Sequence, residues 1–172
     1  MEAVEAQFVG SGDAFGSGGR FQTCIALRAR GDLFLVDCGA SSLIAMQRLA
    51  IDPNDISKIL ITHLHGDHFG GLPNFLLDAI YVQGRTKKLT IIGPKDLEKK
   101  VWNLQEAMYE GTFSMDFGFP IDFIEYGNSE AIILNHNWII EAIRVIHSEP
   151  SNPHAIRLIN GDKSIVYTGD TE

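Results

Sequence analysis

The sequence has little of what marks a secreted, fibrous or membrane protein. Its 172 residues include two cysteines, Cys24 and Cys38, too few for a disulfide scaffold, which favours a reducing compartment. No apolar run approaches the ~18 residues of a membrane span. The opening Met-Glu-Ala-Val-Glu is acidic where a signal peptide would be basic. Together these features point to the cytoplasm and away from a membrane. Basic patches are missing too: Lys87-Lys88 and Lys99-Lys100 are isolated pairs in a chain of net charge −8. That argues against a general nucleic-acid or anionic-membrane binder. There is no Pro-rich linker, internal repeat or low-complexity tract, so residues 1–172 are expected to form a single domain.

What is present suits a soluble globular chain with a proper core, at 45% hydrophobic and 21% charged. Val4, Ala6 and Phe8 alternate with Glu5 and Gln7, so Ala3 to Val9 reads as a strand. A Gly-rich loop follows from Gly10 to Arg20. A dinucleotide-binding reading of Gly10-Ser11-Gly12 fails, because Gly-x-Gly-x-x-Gly needs a glycine where Phe15 stands. The loop also leads into strands (Thr23 to Leu27, Leu33 to Asp37) and not into a helix. A helix capped by Ser41 or Ser42 should run to Leu49. Lys58 to Thr62 is a short buried strand, Phe75 to Tyr81 a helix and Leu89 to Ile92 a strand. Leu97, Val101, Leu104 and Met108 mark an amphipathic helix over Asp96 to Tyr109. After Met115 the pattern turns to β: Ile121 to Tyr126, Ala131 to Leu134, Trp138 to Ile146, Ala155 to Ile159 and Ser164 to Thr168. Early alternation followed by a run of strands indicates a layered α/β fold. Phe15, Phe69, Phe75 and Tyr81 read as core, with Phe69 also placed to face a ligand.

The segment His63-Leu64-His65-Gly66-Asp67-His68 carries the chemistry. It follows a buried strand at once, so His63 and His65 point the same way and can converge on one ion. A turn at Gly66 carries Asp67 and His68 to a second position. Imidazole and carboxylate suit zinc, with iron or manganese as alternatives. The spacing is not that of the zincins, whose two histidines lie four apart on a helix. Further donors must come from elsewhere. His147 and Asp170 each sit just past a predicted strand, where α/β sheets gather their functional side chains. His136 reads as a solvated turn residue, His154 as a strand-start histidine, and Cys38 as a buried small residue.

Gly10-Ser-Gly-Asp-Ala14, Leu35-Val-Asp-Cys-Gly39, Thr62-His-Leu-His-Gly-Asp-His-Phe-Gly-Gly71, Val145-Ile-His147 and Tyr167-Thr-Gly-Asp-Thr171 resemble, in order, the motifs of the metallo-β-lactamase-fold hydrolases. The likeness covers almost the whole chain and is closest to the subgroup of tRNase Z, arylsulfatases and small phosphodiesterases. It implies an αββα sandwich holding two divalent metal ions, zinc first among them. His63, His65 and His147 would hold one ion, Asp67 and His68 the second, and Asp170 would bridge the two. Asp37 would brace the His loop without binding metal.

Such a site activates water as hydroxide for attack on an ester. Asp67, ligand and orienting group in one, is the catalytic candidate. The expected activity is hydrolysis of a phosphodiester or related ester, with an arylsulfatase or lactonase of the same fold as the alternative. A di-iron redox protein and a non-catalytic fragment are the alternatives from other classes. The resemblance also implies a last ligand histidine well beyond Asp170 and a completed second half of the fold, which this sequence does not show. The expectation is a truncated chain with a weaker second metal site, poor activity and a tendency to self-associate. The stretch from His147 to Asp170 is too short for the RNA-gripping arm of many tRNA-processing relatives. A small molecule or short nucleotide is therefore the expected substrate, not tRNA.

Overall fold

The computed structural model describes residues 4–29, 31–127, 131–134 and 138–172. Two sheets lie face to face, with helices on the outer side of the first. The first sheet has the order β1 (Glu5–Gly10), β2 (Cys24–Ala29), β3 (Asp32–Val36), β4 (Lys58–Leu60), β5 (Leu89–Gly93), β6 (Ile121–Glu125). Its first three strands are antiparallel and β3 to β6 are parallel. The second sheet is antiparallel, with β7 (Ile132–Ile133), β8 (Trp138–Arg144), β9 (His154–Asn160) and β10 (Lys163–Tyr167) side by side in chain order. The helices are α1 (Ser42–Arg48), the single turn α2 (Gly66–Phe69), α3 (Leu72–Tyr81) and α4 (Leu97–Met108).

The strands β3, β4 and β5 are nearly unbroken apolar runs because both of their faces are covered. On one face Leu35, Ile59 and Ile91 meet Met46, Phe75, Leu76 and Val101 from the helices. On the other, Phe34, Val36, Leu60 and Ile92 meet Trp138, Ile140, Ile156 and Leu158 of the second sheet. Phe34 and Trp138 pack ring to ring at 5.0 Å. This gives three of the four layers of an αββα sandwich. Among the described residues no helix covers the outer face of the second sheet, where Ile133, Ile143 and Val166 are exposed. No helix of the described residues is long and apolar enough to cross a membrane.

The topology places the strand ends that matter. Parallel strands β3 and β4 finish on one rim, at Asp37 and Thr62. Strands β8 and β10 both pair antiparallel with β9, so they run the same way and finish together, ahead of His147 and Asp170. Two backbone bonds stitch the rims of the sheets: His154 N–H to Thr62 O at 3.0 Å and Leu64 N–H to Ser151 O at 2.8 Å.

Several local expectations are corrected. Phe8 is exposed, because β1 is an edge strand and the second sheet does not reach over that end. A register shift between Phe8 and Gly10 then turns Val9 to the helical core. Ser41 does not cap α1 through its side chain; its hydroxyl accepts the Gln22 N–H instead. Phe15 and Tyr81 are exposed, not core, while Phe69 and Phe75 are buried. The strand before His147 stops at Arg144, where the chain turns towards the rim. His154 opens β9 as expected, and His136 lies outside the described residues.

Trp138 is buried at the centre of the sheet-to-sheet contact. Trp138→Ala should cost about 3–5 kcal/mol, the usual range for emptying an aromatic core site. Urea unfolding of the two proteins checks it; a loss under 1 kcal/mol would mean that the sheets do not rely on this contact.

Candidate metal centre

The site grows outward from one buried carboxylate. Asp37 ends β3 in a left-handed conformation, φ 61°, which costs on the order of 1–3 kcal/mol unless its surroundings hold it. They do. Asp37 Oδ1 accepts the Thr62 N–H at 2.8 Å, the Thr62 hydroxyl donates to Oδ2 at 2.9 Å, and His68 Nδ1 lies 2.7 Å from Oδ2. Burial pushes the Asp37 carboxyl up, against the pull of His68 and Thr62. Burial also pushes the His68 imidazolium down, but the hydrogen bond and charge of Asp37 outweigh it and the net shift is upward.

These bonds set two tautomers. An anion accepts only, so the neutral His68 ring, the form a metal ligand requires, keeps its proton on Nδ1 and turns a bare Nε2 to the rim. The Thr62 hydroxyl spends its single proton on Asp37, so at 3.1 Å from His63 Nδ1 it can only accept. His63 therefore also carries its proton on Nδ1 and presents a bare Nε2. Burial, then the neighbouring His68, His65 and His147, depress the His63 pKa to about 3, so the ring stays neutral, the form that binds metal.

The remaining donors converge on these nitrogens. His63 Nε2 lies 3.1 Å from His65 Nδ1, and His147 Nε2 lies 3.3 Å from that same atom. One proton can bridge only one of these gaps. A tetrahedral zinc with bonds of about 2.05 Å sets its ligand nitrogens about 3.3 Å apart, so the three imidazoles fit a divalent transition ion. The second cluster contains His68 Nε2, 3.4 Å from Asp67 Oδ2 and 3.4 Å from Asp170 Oδ1. Asp170 sends its other oxygen, Oδ2, towards His147 Nε2 at 3.9 Å, so it stands between the clusters. His63 also lies within reach of His68 and Asp170, which ties the groups together. All six residues expected from the sequence meet at this rim.

Some contributors lie within the motifs already quoted but had no role assigned to them there. Thr62 joins Asp37 to His63, a role visible only once β3 and β4 are paired. Gly39 lets α2 approach, since a Cβ there would sit 2.2 Å from the Asp67 carbonyl oxygen. The Tyr167 phenol is held protonated by burial and by the negative charges of Asp37, Asp170 and Asp67.

Known proteins similar to this chain define its family. The profile of the anti-Pycsar protein Apyc1 family matches residues 4–172. Ribonuclease Z of Methanococcus maripaludis (strain C5) is 35% identical over 156 residues, 91% of this chain and 48% of that protein. Ribonuclease Z of Lachnoclostridium phytofermentans is 35% identical over 130 residues, 76% of this chain and 40% of that one. The chain thus spans about half the length of the curated relatives it matches. Among solved structures, the short form of human tRNase Z superposes with a TM-score of 0.77 at 25% identity, over 99% of this chain and 69% of that one. The metallo-β-lactamase fold protein YhfI from Bacillus subtilis gives 0.78 at 17% identity, covering 99% and 63%. A diphosphatase of the PhnP family gives 0.64 at 18% identity, covering 91% and 62%. The chain belongs to the anti-Pycsar Apyc1 family, within the tRNase Z-like part of the metallo-β-lactamase superfamily.

Asp37→Asn tests the tautomer argument. The amide nitrogen would donate to His68 Nδ1, moving the ring proton to Nε2 and spoiling that ligand. Affinity for a second zinc should fall on the order of 10–100-fold, the usual cost of losing such a supporting group. Competition with a chromophoric chelator measures it; unchanged affinity would show that Asp37 does not control His68.

Proposed function

We propose that the chain acts as a metal-dependent hydrolase of phosphodiester or related ester bonds. Its substrate would be a small molecule or short nucleotide. The observation that carries this reading is the convergence of His63, His65, His147, His68 and Asp170 on one rim, with Asp67 beside His68 and two of the imidazoles in the ligand tautomer. The names of the relatives, ribonuclease Z and a diphosphatase, support phosphoester chemistry.

In this reading His63, His65 and His147 hold one divalent ion, Asp67 and His68 hold a second, and Asp170 serves both. Zinc suits the donors, with manganese or iron as alternatives. When bound, such ions supply Lewis acidity and lower the pKa of water towards neutrality. The side chains do the rest. Asp67 is only partly buried, so one carboxylate oxygen is available to accept a hydrogen bond from the attacking water and aim it at phosphorus. Asp37 and Thr62 keep the ring protons on the far side of His63 and His68, so the rim presents lone pairs.

The stretch from His147 to Asp170 is one 3₁₀ turn and the β9–β10 hairpin, with no protruding arm. That and the net charge of −8 favour a small substrate over tRNA. The layered unit that builds both clusters supports reading residues 1–172 as a single domain. Cys24 and Cys38 are buried and unpaired, in keeping with a reducing, cytoplasmic setting. The exposed apolar face of the second sheet supports self-association.

Asp67→Asn keeps the shape but removes the anionic acceptor. Turnover of a model nitrophenyl phosphodiester should fall on the order of 10²–10⁴-fold with the fold intact by circular dichroism. Turnover like that of the parent protein would rule out the role given to Asp67.

A further inference from the structure

The two sheets leave a cavity of about 460 Å³ that none of the six residues at the metal rim lines. That volume is within the roughly 300–1,000 Å³ of small-molecule sites. Strand register explains its walls. Residues opposite one another in an antiparallel pair share a face, and Arg144 is opposite His154 as Ala142 is opposite Ile156. Ile156 is buried against the first sheet, so by alternation Ala142, Arg144 and His154 turn to that sheet too. Tyr126, just past β6, and Lys95, just past β5, close the space from the first sheet.

One residue ties these walls together. Asn152 adopts φ 56°, a left-handed conformation that asparagine tolerates better than most side chains. Its amide donates to the Lys95 carbonyl at 3.2 Å, and its Oδ1 accepts Arg144 Nη1 at 2.5 Å. Its carbonyl accepts His154 Nδ1–H at 2.8 Å. Burial, together with the charge of Arg144, lowers the His154 pKa, so that ring is neutral at pH 7 and is a wall, not a charge. The Tyr126 ring stands 5.4 Å from it, centroid to centroid. Tyr126 is 8% exposed, and its hydroxyl is sealed from water with no hydrogen-bond partner among the described residues. The cavity therefore meets the Tyr126 ring and not its hydroxyl.

The exposed end of the cavity is cationic, in a chain of net charge −8. Lys95 and Arg144 are both exposed there, and Lys95 forms no ion pair among the described residues. Of its five N–H groups, Arg144 gives one to Asn152 and one to Glu149, each at 2.5 Å. The one carboxylate in the lining, Glu141, is engaged by Arg157 at 3.2 Å. We propose that this cavity binds a small organic anion with a flat apolar body. The acidic group meets Lys95 and the remaining N–H groups of Arg144, and the body lies among Tyr126, His154 and Ala142. Charge at the opening orients such a ligand, and the rings inside bury its apolar surface. The site is independent of hydrolysis at the metal rim, with which it shares no lining residue.

Nuclear magnetic resonance titration of the zinc-loaded chain tests it with two probes of one ring system, 2-naphthalenesulfonate and 2-naphthalenemethanol. A sulfonate is a poor zinc ligand, so it reports on the cavity. Its chemical-shift changes should centre on Lys95, Tyr126, Ala142 and His154. It should bind on the order of 10-fold more tightly than the alcohol, the usual gain from a charge-assisted contact. Lys95→Gln removes an exposed charge; it should weaken the sulfonate several-fold and leave the alcohol and the melting temperature unchanged. Ala142→Leu, which fills the space, should weaken both probes on the order of 10-fold. Shifts centred on His63 to His68, equal binding of the two probes, or sulfonate binding untouched by Lys95→Gln would overturn the proposal.

Discussion

Everything at the rim depends on the placement of one negative charge inside the protein. Asp37 has no solvent to stabilise it, so its charge must be met by donors, and the donors are the residues that frame the site. The Thr62 amide and hydroxyl and the His68 ring satisfy it at 2.7–2.9 Å. A buried carboxylate left without them would be costly. The same bonds pay for the left-handed turn at Asp37 and fix which nitrogen of each ring faces outward. Stability and ligand readiness are therefore the same set of contacts, seen from two sides.

The fold follows from the need to bring that carboxylate beside the histidine loop. Asp37 and Thr62 are neighbours only because β3 and β4 are parallel and in register from Phe34 and Lys58 to Val36 and Leu60. His147 and Asp170 reach them only because β8 and β10 flank β9 and share its rim. The aromatic contact of Phe34 with Trp138 sets the sheets at the distance where the two rims can be hydrogen-bonded. A site drawn from four strand ends needs both sheets at once, so loosening either sheet should be felt at the metal.

Much of this was legible in the chain itself, for reasons that are local. The cluster from His63 to His68 is chemistry written contiguously, and the period of Leu97, Val101 and Leu104 marks α4 within a residue at each end. His147 and Asp170 could be found because each follows an apolar run. What escaped depends on partners distant in sequence. Ser41 has the right residue type for a cap, yet its hydroxyl is taken by Gln22. Phe8 alternates like a core residue, but it lies where the second sheet ends. Phe15 and Tyr81 have the hydrophobicity of core residues and sit on the surface. Thr62 looks like the last residue of a strand until Asp37 is placed beside it.

The central claim, that three imidazoles and a supporting carboxylate make this rim a metal centre, is tested most directly by anomalous diffraction at the zinc edge from zinc-loaded crystals. A peak should lie about 2.0–2.1 Å from His63 Nε2, His65 Nδ1 and His147 Nε2, with His68 Nδ1 still bonded to Asp37. Zinc bound elsewhere, or a rim that stays empty while the three nitrogens keep their 3.1 and 3.3 Å contacts, would contradict it.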